Sequence, residues 1–373
     1  MLRNNPVLIV DLAKFYGGAD VRVTALARRL HGEYPYAVAT LKDSALQRRL
    51  EAADLVFMPV PFSRGDPRIL LYLYRAIREG GYEVIDAHNP QSLFWGGLAA
   101  TWAGAGRKIG TVHSAYGPEH GHSLKGRLYE LVLYLVYRLG FHFVAVSESV
   151  YAYLGELGIP STRISLVRNS MEYGGEPSPG RKASFFEERG WRSDVFVLTV
   201  VGRLEPVKGH RFLLEALADI TKERPTLRCL VVGDGSLRAE CEAMVKKANL
   251  QNVVHFAGFR NDISVLLSGS DAFCLPSLSE GLPYAVLEAC VHRLPLLLSE
   301  VGGLAELFEH GKTAFLVPPA DAGALKTGIR WLMDHPSDAS VLGEAAFQAV
   351  RQKADAGEMH AKTLELYRSG ISS

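Results

Sequence analysis

"VFVLTVVGRLEPVKGHRFLLEALADI" (195–220) is the stretch whose reading decides the fold. A short apolar run ends at Gly202, a turn rich in Gly, Pro and charge follows, and a helical pattern begins at "RFLLEALADI". A continuous apolar strand handing over to a helix is the repeating unit of a parallel α/β sheet. The same alternation runs outward in both directions. Upstream, strands are predicted at "PVLIVD", "YAVATL", "DLVFMPV", "YEVIDAH", "KIGTVHS", "FHFVAVS" and "RISLVRN", with helices such as "VRVTALARRLHG" between most of them. Downstream follow "RCLVVGDG", "VVHFAGF", "AFCLPS", "LPLLLSE" and "TAFLVPP". Between the series lies "YGGEPSPGRKAS" (173–184), which reads as a linker. The fold class is therefore α/β, with two Rossmann-like, doubly wound domains at 1–173 and 174–354. A last helix, about 355–373, is expected to pack back on the first domain. Ligands of such sheets bind at the carboxyl ends of strands, so two facing sheets would hold a site in a central cleft.

The 373 residues suit two domains, and 48% hydrophobic with 22% charged residues is a globular composition. A formal net charge of +1 argues against nucleic acid as a partner. Cys229, Cys241, Cys274 and Cys290 form no CxxC pair and lie mostly in apolar segments. They read as buried thiols of a reducing compartment. No uncharged run of about 18 apolar residues exists, and the N-terminus lacks an adequate signal-peptide core. The expectation is a cytoplasmic protein. Two basic stretches, 63–81 and 123–139, fit either helices packed on the sheet or peripheral contact with an anionic membrane.

Chemistry is expected in the loops after the strands. Arg203 and Lys208 follow a strand and precede a helix, a natural seat for phosphate. Gly17 and Gly18 in "FYGGADVRV" would let the backbone approach a ligand where a helix begins. "VVGDGSLRAE" imitates a dinucleotide fingerprint through Gly233 and Gly235, but Arg238 stands where the third glycine belongs. "SEGLPYAVLEA" (279–289) places Glu280 in a loop and Glu288 inside the following helix, with Pro283 expected in its first turn. The amides of Gly281 and Leu282 would point with the helix start toward an anion. The two glutamates are then unsuited to touching each other, and can reach two parts of one extended ligand. "EHGH" (119–122) could be read as a metal site but more readily as a polar loop. His88, ending the strand "YEVIDAH", could touch an acceptor or cap a helix.

The order GGA, HN, TVH, VSES, RNS, GRLEPVKGH, VVGDG, AGF, SEGLPYAVLEA and VGGLAELFEHGKTAFLVPPAD resembles the glycosyltransferase family 4 type of GT-B enzyme over nearly the whole chain. The C-terminal half carries the specific motifs. Departures are Ala314, where the family usually has Gly, and Ser170, where an Asn-Gly turn is usual. The resemblance implies a retaining, metal-independent hexosyltransferase acting from a nucleotide diphosphate sugar, UDP more often than GDP. The acceptor would be a glycan or a lipid-linked sugar in surface polysaccharide or glycolipid synthesis. It also implies roles. Glu280 would lie against the donor sugar and Glu288 would hold the ribose hydroxyls. Arg203, Lys208, Gly281 and Leu282 would hold the diphosphate, with Gly17 and Gly18 closing on it. His113 would stand near an outer hydroxyl of the sugar. Gly233, Phe259 and Arg260 would border the base. No cofactor is expected, and since no Asp-x-Asp occurs, no metal; Arg203 and Lys208 would take the cation's place. Two other readings share the fold: a non-hydrolysing nucleotide-sugar epimerase and a catalytically silent scaffold. "VVGDG" taken alone points to a dehydrogenase.

Overall fold

The computed structural model describes residues 5–14, 16–121, 123–171, 184–191 and 194–368. The chain divides into two compact units, Met1–Ser170 with Ala356–Ser373, and Met171–Asp355. The linker expected at 173–184 lies outside the described residues except for Ser184, and so does His122 of "EHGH".

The first unit holds seven strands: β1 (Val7–Asp11), β2 (Tyr36–Leu41), β3 (Phe57–Val60), β4 (Val84–His88), β5 (Arg107–Val112), β6 (His142–Ala145) and β7 (Ile164–Leu166). They pair in parallel in the order β3-β2-β1-β4-β5-β6-β7. The strand order reverses between β1 and β4, where Asp11 lies opposite His88. Both faces are covered, which is why β1 and β4 are buried along their whole length. On one face, Ile9, Val84 and Ile109 pack with Val23 and Leu26 of the helix Gly18–Leu30. Tyr367 and Met359 of the terminal helix Ala356–Arg368 join the same cluster. The other face carries Leu8, Val10, Ile85 and Ala87 under Leu93, Ala99 and Ala100 of the helix Pro90–Ala103.

The second unit holds β8 (Phe196–Val201), β9 (Leu227–Val232), β10 (Val254–Gly258), β11 (Ala272–Leu275), β12 (Leu296–Ser299) and β13 (Phe315–Val317). Their order is β10-β9-β8-β11-β12-β13, all parallel. The reversal falls between β8 and β11. The thirteen strands coincide with the thirteen predicted apolar runs. One boundary differs. Pro283 is the extended residue before the helix Tyr284–Val291, with φ −76° and ψ 131°, and not a member of its first turn. Ala314 and Ser170 both avoid the left-handed region, so neither departure from the family pattern strains the backbone. All four cysteines are buried free thiols.

Candidate active site

In doubly wound sheets the loops at the strand-order reversal part to opposite faces and leave room for a ligand. In the second unit that position is built by the loops after β8 and β11. The β8 loop runs Gly202, Arg203, Leu204, Glu205, then a single 3-10 turn Pro206–Lys208, then Gly209 in the left-handed conformation (φ 66°). A Cβ on Gly209 would stand 1.9 Å from the Pro276 carbonyl oxygen, so glycine alone allows the two loops to touch. The Leu278 amide donates to the Val207 carbonyl at 2.7 Å, which fastens them.

This clamp brings Lys208 to Glu280. The Lys208 Nζ donates to Glu280 Oε1 at 2.6 Å, and the Ser277 hydroxyl donates to the same oxygen at 2.6 Å. Their side chains are only 15% and 7% exposed, so the pair is largely desolvated. Burying two charges is costly unless their geometry is good and their remaining valences are met. Among the described residues, no hydrogen bond reaches Glu280 Oε2. Gly281 and Leu282 are buried beside it and lead into the helix Tyr284–Val291. Glu288 is the fifth residue of that helix and half-buried. Arg203 lies exposed in the β8 loop. His210 opens the helix His210–Ile220 and is buried. Burial, reinforced by the charge of Lys208, pushes its imidazole down to about 4.

The glycines of "VVGDG" have a packing reason. Gly233 has φ 132°, and a Cβ there would stand 2.0 Å from the Gly202 carbonyl oxygen. The Gly233 amide donates to the Gly258 carbonyl at 2.8 Å, so Gly233 joins the loops after β8, β9 and β10. Phe259 follows β10 and is 51% exposed. Arg260 pairs with Asp262 at 2.6 Å and sets its guanidinium 5.3 Å from the Phe185 ring centroid.

In the first unit the reversal lies at the ends of β1 and β4, and here the sheet changes character. Along the face under the helix Gly18–Leu30, apolar Ile9, Val84 and Ile109 give way to polar Asp11, Asp86, His88 and Thr111 toward the carboxyl ends. His88 is fully buried, and its Nδ1 lies 3.0 Å from Nε2 of His113, the residue after β5. Asp86 accepts from the Tyr367 hydroxyl at 2.6 Å and from Thr111 Oγ1 at 3.1 Å. Burial opposes its ionisation, but the facing His88 and the Tyr367 hydroxyl hold the carboxyl below the usual range. Burial, foremost, holds His113 well below the ordinary histidine value. Asp11 goes the other way: burial, then the charge of Asp20, pushes its carboxyl well up.

Asn89 donates to Asp11 Oδ1 at 2.6 Å and caps the helix Pro90–Ala103 while held at φ 66° and ψ 158°. A non-glycine residue in that region is strained, and such strain gathers at functional sites. Gly17 precedes the helix Gly18–Leu30, and its amide donates to Asp20 Oδ2 at 2.7 Å. A Cβ on Gly17 would meet nothing closer than 3.9 Å, so packing does not demand glycine there. Sequence reasoning missed Ser277, Asp86, Asn89 and Tyr367. The signal for Asp86 was present: an acidic residue inside "YEVIDAH", on the same strand face as His88.

Comparison with known proteins gives two adjoining family matches. Residues 16–172 match the model "Glycosyltransferase Family 4", and residues 181–349 match "Glycosyl transferases group 1". Among curated proteins, the chain is 29% identical over 259 residues to UDP-Gal:alpha-D-GlcNAc-diphosphoundecaprenol alpha-1,3-galactosyltransferase of Escherichia coli. That match covers 68% of this chain and 66% of the relative. It is 29% identical over 297 residues to the putative glycosyltransferase EpsF of Bacillus subtilis, covering 76% of each. Among solved structures, Anabaena HepE in complex with UDP-glucose superposes with a TM-score of 0.84 at 22% identity, covering 96% of this chain and 98% of that one. Sucrose-phosphate synthase of Thermosynechococcus elongatus superposes at 0.83 and 20% identity, covering 98% of each. These neighbours share the two-sheet GT-B fold. The chain belongs to the family 4 type of GT-B glycosyltransferases.

Proposed function

We propose that the protein transfers a sugar, with retention of anomeric configuration and without a metal, from a nucleotide diphosphate sugar to a glycan or lipid-linked acceptor. The observation that carries this reading is the buried Lys208–Glu280 pair at the β8/β11 reversal, with Glu280 Oε2 unengaged. UDP is the favoured nucleotide, in line with the names of the E. coli relative and of the HepE complex. A lipid-linked acceptor agrees with the first of these names, which specifies a diphosphoundecaprenol-linked sugar.

Breaking the bond between the sugar carbon and the diphosphate oxygen puts negative charge on the leaving group and positive charge on the sugar. Lys208 and Arg203 meet the former as fixed cations. The amides of Gly281 and Leu282, at the positive end of the helix Tyr284–Val291, add to them. Because this charge grows as the bond breaks, the stabilisation is greatest in the transition state. Glu280 faces the sugar, Glu288 takes the ribose hydroxyls, and Gly233, Phe259 and Arg260 border the base. Gly17 and Gly18 act on the diphosphate and His113 on the sugar. The acceptor oxygen bonds to the sugar carbon on the face the diphosphate leaves, and its proton passes to the departing phosphate oxygen.

The acceptor side is proposed to work at an anionic membrane surface. Among the described residues no helix is long and apolar enough to cross a membrane. The helix Leu124–Arg138, however, exposes Leu124 (84%), Leu128 (56%), Leu131 (60%) and Tyr134 (47%) along one stripe. Lys125, Arg127 and Arg138 are exposed around it. Its single carboxylate, Glu130, is turned to the Tyr153 hydroxyl. An apolar stripe edged only by cations suits a bilayer interface.

Thermal unfolding with nucleotides tests the donor reading. UDP at a hundred times its dissociation constant should stabilise the protein by about 2.7 kcal/mol, and NAD should not. Stabilisation by neither UDP nor GDP would refute it. Conversion of a UDP-sugar in the absence of any acceptor would favour the epimerase instead.

A further inference from the structure

The helices Arg68–Gly80, Pro90–Ala103 and Leu124–Arg138 form one layer over the same face of the first sheet. Their inner sides, through Leu73 and Ile77, Leu93 and Ala100, and Leu133 and Val136, share one apolar cluster with Leu8, Val10 and Ile85 of the strands. Pro90–Ala103 lies in the middle and packs on both of the others. A Cβ on its Gly97 would stand 2.9 Å from Val136, and its Trp102 stacks on Tyr74 with ring centroids 4.2 Å apart and planes at 24°. The outer side of this layer is not that of an ordinary solvated surface. Trp102 is 59% exposed and Leu71 42%, and the helix Pro90–Ala103 holds no charged residue at all. A helix on the outside of a globular domain ordinarily turns charged or polar residues outward.

Charge of one sign surrounds this apolar ridge. Leu71, Tyr74, Arg75 and Arg78 recur at i, i+3, i+4 and i+7 and so share one stripe of their helix. Arg75 and Arg78 are exposed and, like Lys125 and Arg127 of the third helix, take part in no ion pair among the described residues. The three helices carry two carboxylates, Glu79 and Glu130. Glu130 accepts from the Tyr153 hydroxyl, and Glu79 is turned about 100° around its helix from Arg78, to the edge of the stripe. Leucine and tryptophan ringed by unpaired cations complement a surface that is apolar within and anionic at its head groups.

We infer that Trp102, stacked on Tyr74, is a second membrane anchor, and that the whole three-helix layer lies flat on an anionic bilayer. Trp102 and Leu71 then enter the head-group region beside Leu124, Leu128 and Leu131, with Arg75 and Arg78 on the lipid phosphates. This inference rests on the membrane reading of the acceptor side given above, and adds to it a contact and an orientation. One shallow apolar stripe binds a membrane weakly, and two anchors on one rigid layer reinforce each other. The helices lie along the sheet, so a flat-lying layer sets the strands parallel to the membrane. The carboxyl edge that carries Asp11 and His88 then opens sideways, one helix diameter, roughly 10 Å, above the head groups. A lipid-linked acceptor meets that edge without leaving the bilayer.

Lipids brominated on the acyl chain test this contact, because they quench a tryptophan that enters the bilayer. Full-length protein is mixed with vesicles of phosphatidylglycerol and phosphatidylcholine, and flotation is measured beside tryptophan fluorescence. The wild type is expected to float and to be quenched, and Trp102→Phe to float with most of the quenching lost. Arg75→Glu combined with Arg78→Glu, both at exposed positions, should weaken binding at least about tenfold. The melting temperature and its rise with UDP should stay unchanged in both variants. Flotation without quenching, or with the same quenching in Trp102→Phe, would overturn the second anchor and leave a membrane contact through Leu128 and Leu131 standing. Equal binding of the wild type to phosphatidylcholine alone, or of the double variant to the mixed vesicles, would overturn the charge-matched orientation. No flotation on any vesicle would overturn the membrane reading and this inference with it, leaving the donor reading untouched. A change in Trp102 emission with a soluble glycan but not with vesicles would overturn it in favour of a sugar-binding face. Dimerisation lost in Trp102→Phe, without vesicle binding, would do so in favour of a second copy.

Discussion

A single added carbon separates the glycines that packing requires in this chain from those it does not. At Gly233 a methyl group would collide with the Gly202 carbonyl oxygen at 2.0 Å, on a backbone at φ 132°. Gly233→Ala is therefore expected to destabilise the protein by about 3 kcal/mol or more, from strain and overpacking together, as read by denaturant unfolding. At Gly17 a methyl group meets nothing closer than 3.9 Å on an extended backbone (φ −159°). Gly17→Ala should leave stability within about 0.5 kcal/mol of wild type while weakening UDP-sugar binding. His210 makes a second residue-level prediction. Its folded value is lowered from 6.5 to about 4, so below pH 6.5 the unfolded chain takes up a proton that the folded chain refuses. Its contribution is nil at higher pH and becomes a growing loss of stability as pH falls toward 4, reaching about 3 kcal/mol. His210→Phe should flatten the unfolding free energy between those pH values. An unchanged slope would show that His210 titrates normally.

Among the elements, the exposed helix Leu124–Arg138 makes the sharpest prediction. Replacing Leu128 and Leu131 together by Asp should abolish flotation with phosphatidylglycerol vesicles. Both side chains are exposed, so the melting temperature should hold. Unaltered flotation would place any membrane contact elsewhere. Elements were also what the sequence displayed most clearly. A parallel strand buried on both faces is apolar along most of its length, so "VLIVD", "LRCLVV" and "LLLS" announce themselves without a partner. The helix after Pro283 was legible to within one residue, because proline suits both the position before a helix and its first turn. The Lys208–Glu280 pair was not legible as a pair. Its partners are 72 residues apart, and the contact depends on Gly209 meeting the Pro276 carbonyl, a matter of sheet order. The Tyr367–Asp86 bond spans 281 residues and rests on where the terminal helix packs. Local pattern carries no such information.

At the scale of the whole molecule, the two sheets follow one plan: an order reversal, polar residues gathered at its carboxyl edge, and apolar packing beneath. In the second unit that edge holds Lys208 with Glu280, and in the first His88 with His113. Beneath these groups, apolar packing such as Leu198 with Leu217, or Ile9 with Leu26, holds each sheet together. In the proposed mechanism, Lys208 bears the charge released on the nucleotide diphosphate. This role is tested most directly by initial rates of UDP release from a UDP-sugar, with a lipid-linked acceptor and excess EDTA present, for wild type and Lys208→Ala. The expected result is a wild-type rate unaffected by EDTA and a kcat about 100- to 1,000-fold lower in Lys208→Ala, the usual consequence of removing one preorganised charge-stabilising donor. A Lys208→Ala rate within a few-fold of wild type, or a wild-type rate abolished by EDTA, would contradict it.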